Sequence, residues 1–179
     1  MWIVILLAVL AAGAAHWYVA TANRFAQLAV KVAEASSGID VALTRRWDTL
    51  TKMLDVTKGY AKHEAETLGG IVTLRQGMTL GEKRDALAKM DDVMGKLNVL
   101  VENYPDLKAS ENFKQLQIGV TEAEDNLQAA RRIYNMNVSQ FNQLLMSWPM
   151  SIVGRRRGYD PMDFFEAEAH KRQDVKMRF

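Results

Sequence analysis

The chain contains no cysteine, only three prolines and almost no net charge. Without cysteine, disulfides, zinc–thiolate sites and thiol nucleophiles are excluded. The prolines stand at positions 105, 149 and 161, so the residues before Pro105 include no strong helix breaker. The 23 basic and 21 acidic residues give a formal charge of +2, which is too small to favour nucleic acid as a partner.

Signals of β-structure are also missing, since the sequence shows neither alternating strand patterns nor hairpin turn dipeptides. A chain of 179 residues has room for one domain and an anchor. The sequence therefore predicts an all-α protein.

The chain begins with an uncharged apolar run, and the first charged side chain in the sequence is that of Arg24. About 22 residues at about 1.5 Å each span about 33 Å, enough to cross a hydrocarbon core of about 30 Å. Trp2 stands at one end and Trp17 with Tyr18 at the other, where an aromatic belt would lie. We therefore predict a transmembrane anchor over residues 1–22.

Two alternatives to an anchor are a cleaved signal peptide and a buried core helix. Small residues at 12–14 resemble a cleavage site, but no Lys or Arg precedes the apolar run, as a signal peptide requires. A core helix would need a polar face, and this run has none. The basic residues Arg24, Lys31, Arg45 and Arg46 follow the run, so the positive-inside rule predicts a single-pass protein with its N-terminus outside.

Beyond the anchor, apolar residues recur at alternating spacings of three and four, which is typical of helices with one buried face. Four such stripes predict an up-and-down four-helix bundle over residues 23–148, followed by a tail over residues 149–179. The stripes are Phe25, Leu28, Val32, Ala35 and Ile39; Trp47, Leu50, Leu54, Thr57, Ala61, Leu68 and Ile71; Leu87, Met90, Met94, Leu97, Val101 and Tyr104; and Phe113, Leu116, Val120, Ala123, Leu127, Ala130, Tyr134, Asn137, Phe141, Leu144 and Trp148.

The turns between these helices carry recognisable signals. Residues 77–81 begin and end with glycine, and Thr79 with Glu82 forms a capping box for the third helix. Pro105 ends the third helix, and Ser110 begins the fourth. We place the first turn at residues 46–48 with Asp48 as the cap, although residues 43–54 could also form one uninterrupted helix.

Several stretches resemble one protein family. They are Ile39-Asp40-Val41, Leu43 to Asp48, Lys58 to Glu64, Glu102 to Phe113, Arg131-Arg132-x-Tyr134-Asn135 with Val138 and Phe141-Asn142, and Phe164 to Glu168. Together they resemble the LemA family along the whole chain. The resemblance implies a bacterial, membrane-anchored four-helix bundle. Together with the orientation from the positive-inside rule, it leads us to expect the bundle on the cytoplasmic side of the inner membrane. It implies no biochemical activity, and magnetosome-associated relatives favour membrane organisation over chemistry.

Candidate catalytic features are sparse. The histidines at 16, 63 and 170 fall in the anchor, a predicted helix and the tail, and neither a His-Glu-x-x-His nor a Glu-x-x-His motif occurs. Glu166 and His170 stand four residues apart, but two such residues are typical of an exposed pair rather than a metal site. We therefore expect no enzyme activity, no catalytic residue, no cofactor and no metal.

Two polar features remain. Asn137 interrupts the longest stripe and has Asn135 and Asn142 nearby, which predicts hydrogen bonds across the bundle or, alternatively, a ligand site. Trp148 and the arginines Arg155, Arg156 and Arg157 predict either contact with an anionic membrane surface or a tail packed on the bundle with solvated arginines.

Two functions are consistent with these features. The first is a membrane-tethered scaffold that acts through contacts with its own copies or with another membrane protein; outward-facing apolar residues such as Met136 favour it. The second is a ligand- or ion-sensing bundle that regulates a membrane partner such as a protease or transporter. A filled apolar core would favour the first, and polar groups converging beside a cavity would favour the second.

Overall fold

A computed structural model of the protein describes residues 1–61 and 77–165. The regular structure of these ranges is entirely helical: α1 Trp2–Lys58, α2 Leu80–Glu102, α3 Pro105–Ala109, α4 Glu111–Met146 and α5 Met150–Arg156. The all-α prediction, with one long apolar N-terminal helix, is thereby confirmed. The predicted stripe positions Leu68 and Ile71, His63 and the Glu166–His170 pair lie outside the described residues.

The predicted turn at residues 46–48 is wrong, because α1 continues through it to Lys58. The hydroxyl groups of Thr49 and Thr51 donate to the carbonyl oxygens of Arg45 and Trp47, each at 2.9 Å, four residues back along the helix. Neither glycine nor proline stands between Gly38 and Lys58 to interrupt the helix. Asp48 is therefore an exposed helical residue and not a cap.

The later turns form where the sequence predicts them. Gly77 adopts a φ of 76°, a conformation that glycine tolerates best. The Thr79 side chain accepts a hydrogen bond from the Glu82 backbone N–H, while the Glu82 carboxylate accepts one from the Thr79 N–H, which completes the capping box. Pro105 opens the short helix α3, which the stripes do not predict, and α4 starts directly after Ser110.

The chain divides into two compact units. The first unit comprises Met1–Ser36 and Arg132–Phe165. Its buried apolar side chains come from both long helices, from α5 and from the chain that follows α5. They are Ala22, Phe25, Leu28, Val32 and Ala35 of α1, Tyr134, Val138, Phe141, Leu144 and Leu145 of α4, Val153 of α5, and Phe165.

Within Ser37–Arg131, the second unit contains α2, α3 and the remaining parts of α1 and α4. Its core holds the predicted stripes of α1 and α2 together with residues of α3 and α4. The core residues are Leu50, Met53, Leu54, Ala86, Met90, Val93, Leu97, Val101, Leu107 and Phe113.

The longest predicted stripe extends one member too far. Its members from Phe113 to Leu144 lie on α4, but that helix ends at Met146. Trp148 therefore leaves the helical register, and 81 % of its surface is exposed. It is a surface residue and not part of the core.

Candidate functional site

The N-terminal part of α1 is an exposed apolar surface. Every side chain from residue 1 to residue 20 is exposed except the half-buried Tyr18, and Thr21 and Ala22 are the first buried residues. Trp2 is 80 % exposed and Trp17 is 38 % exposed. Among the described helices, α1 alone is long and apolar enough to cross a bilayer, and its apolar window has 0 % of its residues buried.

Helix α5 has residues buried in the first unit and residues exposed to solvent. Val153 and Gly154 are buried, whereas Ile152 and the arginines at 155–157 are exposed. A Cβ atom on Gly154 would lie 2.5 Å from Leu145 Cδ1 and 2.9 Å from Phe25 Cζ. Glycine at this position therefore lets α5 pack closely on both long helices of the first unit.

Phe25 is also the centre of an aromatic cluster. Its ring lies edge-on to Phe141, with ring centroids 5.8 Å apart, and stacks on Tyr159 at 5.4 Å. Phe141 and Tyr159 meet edge-on at 5.5 Å. Aromatic pairs in these arrangements stabilise the folded state by more than the burial of their apolar surface alone. The chain after α5 is thus attached at Tyr159 to both long helices of the first unit.

Two of the predicted asparagines bind that chain further along. The Asn142 Nδ2 group donates to the carbonyl oxygen of Met162, and its Oδ1 atom accepts from the Met162 N–H, both at 2.9 Å. Asn135 repeats the arrangement with Phe165, at 3.0 Å and 2.7 Å. At Asp163, which lies between Met162 and Phe165, the carbonyl oxygen accepts a hydrogen bond from the Tyr134 hydroxyl at 3.1 Å.

The spacing of Asn135 and Asn142 along α4 explains how both can bind the same segment. Seven residues separate Asn135 from Asn142, about 10 Å along a helix, and three extended residues from Met162 to Phe165 also cover about 10 Å. The segment therefore runs antiparallel to α4, and both asparagines recognise only its backbone. The first part of the predicted tail, residues 149–165, is consequently packed on the first unit.

Asn137 points elsewhere. It is 9 % exposed, and its Nδ2 group donates to the Lys31 carbonyl oxygen of α1 at 3.3 Å. This bond joins α4 to α1 within the first unit. The three asparagines do not converge on one site: Asn137 faces α1, whereas Asn135 and Asn142 face the chain after α5.

The second unit holds a buried ion network that the apolar stripes do not predict. Arg46 is 8 % exposed, and its Nη2 atom lies 2.6 Å from Asp91 Oδ1 of α2 and 3.1 Å from Glu124 Oε2 of α4. One guanidinium thus joins three helices. Arg46 follows Leu43 by three residues and precedes Leu50 by four, so its place in the stripe of α1 was a signal for burial.

A second buried cation lies in the same unit. Lys83 of α2 is 2 % exposed, and its Nζ atom lies 2.9 Å from Asp40 Oδ1 of α1. Lys83 stands one turn before Leu87, in register with the predicted stripe of α2. Paired in this way, Arg46 and Lys83 set which parts of the helices face one another, because an unpaired buried charge is costly.

Neither unit presents a metal site in the part of the chain that the structure describes, where no three His, Cys, Asp or Glu side chains come together. An open groove of about 690 Å³ in the second unit is lined by Ser37, Asp40, Val41, Thr44, Arg45, Asp48 and Gly77. Asp40 there is already the partner of Lys83.

Comparison with known proteins gives a family and several relatives. The profile of the LemA family matches residues 35–179, so the apolar surface at residues 1–20 lies outside the match. Protein LemA of Metamycoplasma hominis is 31 % identical over 163 residues, which cover 88 % of this chain and 74 % of that protein.

Magnetosome proteins match a shorter stretch. Magnetosome protein MamQ of Magnetospirillum gryphiswaldense is 22 % identical over 74 residues, which cover 41 % of this chain and 27 % of that protein. Magnetosome protein MamQ 1 of Paramagnetospirillum magneticum is 25 % identical over 75 residues, which cover 42 % of this chain and 28 % of that protein. The family profile and the Metamycoplasma relative both span most of this helical chain, which therefore belongs to the LemA family.

Proposed function

We propose that the protein is a helical scaffold anchored in the bacterial inner membrane by a single span, with its N-terminus outside and its folded units in the cytoplasm. The observation that carries the proposal is the exposed apolar surface at residues 1–20. This surface belongs to the same unbroken helix, α1, whose later residues pack in the folded units. At about 1.5 Å per residue it measures about 30 Å, the thickness of a hydrocarbon core.

The scaffold acts through contacts with proteins, including a second copy of itself, and carries out no reaction. It needs no cofactor and binds no nucleic acid. The core of the second unit favours this role over ligand sensing, because the buried side chains that cluster there are apolar. The buried cations Arg46 and Lys83 form ion pairs with carboxylates of neighbouring helices, which is typical of a network that fixes helix packing.

An exposed apolar pair on α4 is the contact surface that we assign to self-association. Ile133 and Met136 are 50 % and 52 % exposed, and a spacing of three places them on one helix face. Isolated apolar side chains are common on protein surfaces, whereas adjacent ones favour an interface. Phe164, 41 % exposed, is another large apolar side chain on the surface of the first unit.

The test uses two differently tagged copies of the full chain expressed together in one membrane. After crosslinking in the intact membrane, we expect purification through one tag to recover the copy that carries the other tag. The double substitution Ile133→Glu with Met136→Glu should abolish this recovery. Val30→Glu is the matched control, since Val30 is 56 % exposed and lies in the same unit. Recovery that survives the double substitution, or is lost equally with Val30→Glu, would contradict this contact surface.

A further inference from the structure

Helix α5 meets α1 just beyond the apolar surface at residues 1–20. The contact is at Phe25, which faces Gly154 and stacks on Tyr159. Five residues separate Ala20 from Phe25, about 8 Å along the helix axis. A hydrocarbon core of about 30 Å inside a bilayer of about 40–45 Å leaves about 5–8 Å of headgroup on each side. If residues 1–20 span the core, α5 lies at headgroup level.

The end of α4 lies at the same level of the first unit. A groove of about 300 Å³ is lined by Arg24 and Leu28 of α1 and by Ser147 and Met150, which follow α4. Arg24 is the first charged residue after the apolar surface. The segment that joins α4 to α5 therefore lies beside the point at which α1 would leave a bilayer.

The exposed residues of this region combine large apolar side chains with positive charge. Trp148 is 81 % exposed, Met146 is 73 % exposed and Ile152 is 47 % exposed. Arginines stand at 155–157, beginning three residues after Ile152, and all three are exposed. Trp side chains favour the membrane–water interface, and arginine forms bidentate hydrogen bonds with phosphate groups.

From this arrangement we infer that Trp148, α5 and the three arginines form a second membrane contact, which rests on the headgroups of an anionic bilayer. The inference rests on the proposed function, because the span sets the depth of α5. The apolar side chains of Met146, Trp148 and Ile152 enter the interface, while the arginines pair with lipid phosphates. A contact at two places restrains the first unit against tilting about the end of the span.

The experiment uses the full chain in liposomes, with single nitroxide labels, because the natural sequence has no competing cysteine. One label replaces Ile152 (Ile152→Cys). The matched control replaces Val30 (Val30→Cys), which is similarly exposed but lies ten residues, about 15 Å, beyond Ala20. In liposomes containing anionic lipid, the label at 152 should be more accessible to membrane-soluble oxygen and less accessible to an aqueous nickel complex than the label at 30.

The charge requirement is tested with Arg155→Gln, Arg156→Gln and Arg157→Gln in one chain. The protection of the label at 152 should then fall to the value measured in neutral liposomes, with no change at position 30. Equal accessibility at 152 and 30 in a chain that alkaline washing does not remove would overturn the inference and leave the anchor standing. Protection that persists without arginines or anionic lipid would assign the face to a protein contact and also overturn it. Loss of the chain on washing would overturn both proposals.

Discussion

The side-chain amide of Asn142 makes two hydrogen bonds to the backbone of a single residue, Met162, both at 2.9 Å. An amide group matches a peptide unit because each has one donor edge and one acceptor edge. Asn135 binds Phe165 in the same way. The chain after α5 is therefore held by its backbone at Met162 and Phe165, in addition to the ring contacts of Tyr159.

Replacing either asparagine should loosen this segment. Each hydrogen bond contributes about 0.5–1.5 kcal/mol, so Asn142→Ala or Asn135→Ala should weaken the attachment by about 1–3 kcal/mol. Hydrogen exchange of a peptide covering residues 159–165 measures the effect as faster exchange. Asn126→Ala, an exposed asparagine of the same helix, is the control. Unchanged exchange in Asn142→Ala would contradict the pairing.

Adjacent arginines of α1 should differ in their contribution to stability. Arg46→Ala removes the buried guanidinium that Asp91 and Glu124 share and should lower the free energy of unfolding by about 3 kcal/mol. This is the low end of the range for a broken buried pair, because the two carboxylate side chains keep 23 % and 30 % of their surface exposed.

Arg45→Ala is the control for that substitution. Arg45 and its partner Glu122 are each 60 % exposed and lie 3.6 Å apart, so the loss should be less than about 1 kcal/mol. Denaturant titrations of the full chain in detergent compare the two variants. Equal losses would show that the Arg46 network is solvated and does not fix the helices.

A methyl group at position 154 should disturb the contact between α5 and α1. Because it would meet Leu145 Cδ1 and the Phe25 ring, Gly154→Ala should destabilise the first unit by about 1–3 kcal/mol. Gly95→Ala should have the opposite sign, about 0.5–1 kcal/mol stabilising, since Gly95 is helical and a Cβ atom there would meet no atom within 4 Å outside the backbone of its own helix. Thermal melting of both variants checks the signs, and a neutral Gly154→Ala would contradict the close packing.

The longest stripe supplies one buried probe for each unit. Leu127 and Phe141 are both 0 % exposed and lie in the second and the first unit respectively. Truncation of either to Ala should cost about 2–5 kcal/mol through lost burial and the cavity that remains. Gln128→Ala, on the exposed face of α4, should change the melting temperature little. A tolerated Leu127→Ala would exclude this register of α4.

Local signals predicted most of the helical architecture. The capping box of Thr79 and Glu82 and the position of Pro105 depend only on neighbouring residues, so they could be read correctly. The apolar stripes also identified most of the core, because spacing on a helix decides which side chains share a face.

Errors arose where distant residues decide the outcome. The predicted turn at residues 46–48 rested on Asp48 as a cap, but α1 continues there, and the burial of Arg46 is compensated by Asp91 and Glu124, which are remote in sequence. The role of Asn142 depends on the backbone of Met162, which periodicity cannot indicate. Trp148 continued the spacing of α4 by coincidence, because the helix ends two residues before it.

The most direct test of the account is the accessibility of one cysteine in the membrane-bound full chain. Asn98 is exposed in α2, and Asn98→Cys creates a single thiol in an otherwise cysteine-free protein. Spheroplasts are treated with a membrane-impermeant maleimide before or after permeabilisation, and the protein is recovered from alkali-washed membranes. We predict a full-length protein that is labelled only after permeabilisation. Labelling in intact spheroplasts, or a soluble protein that begins near His16, would contradict a cytoplasmic scaffold anchored by α1.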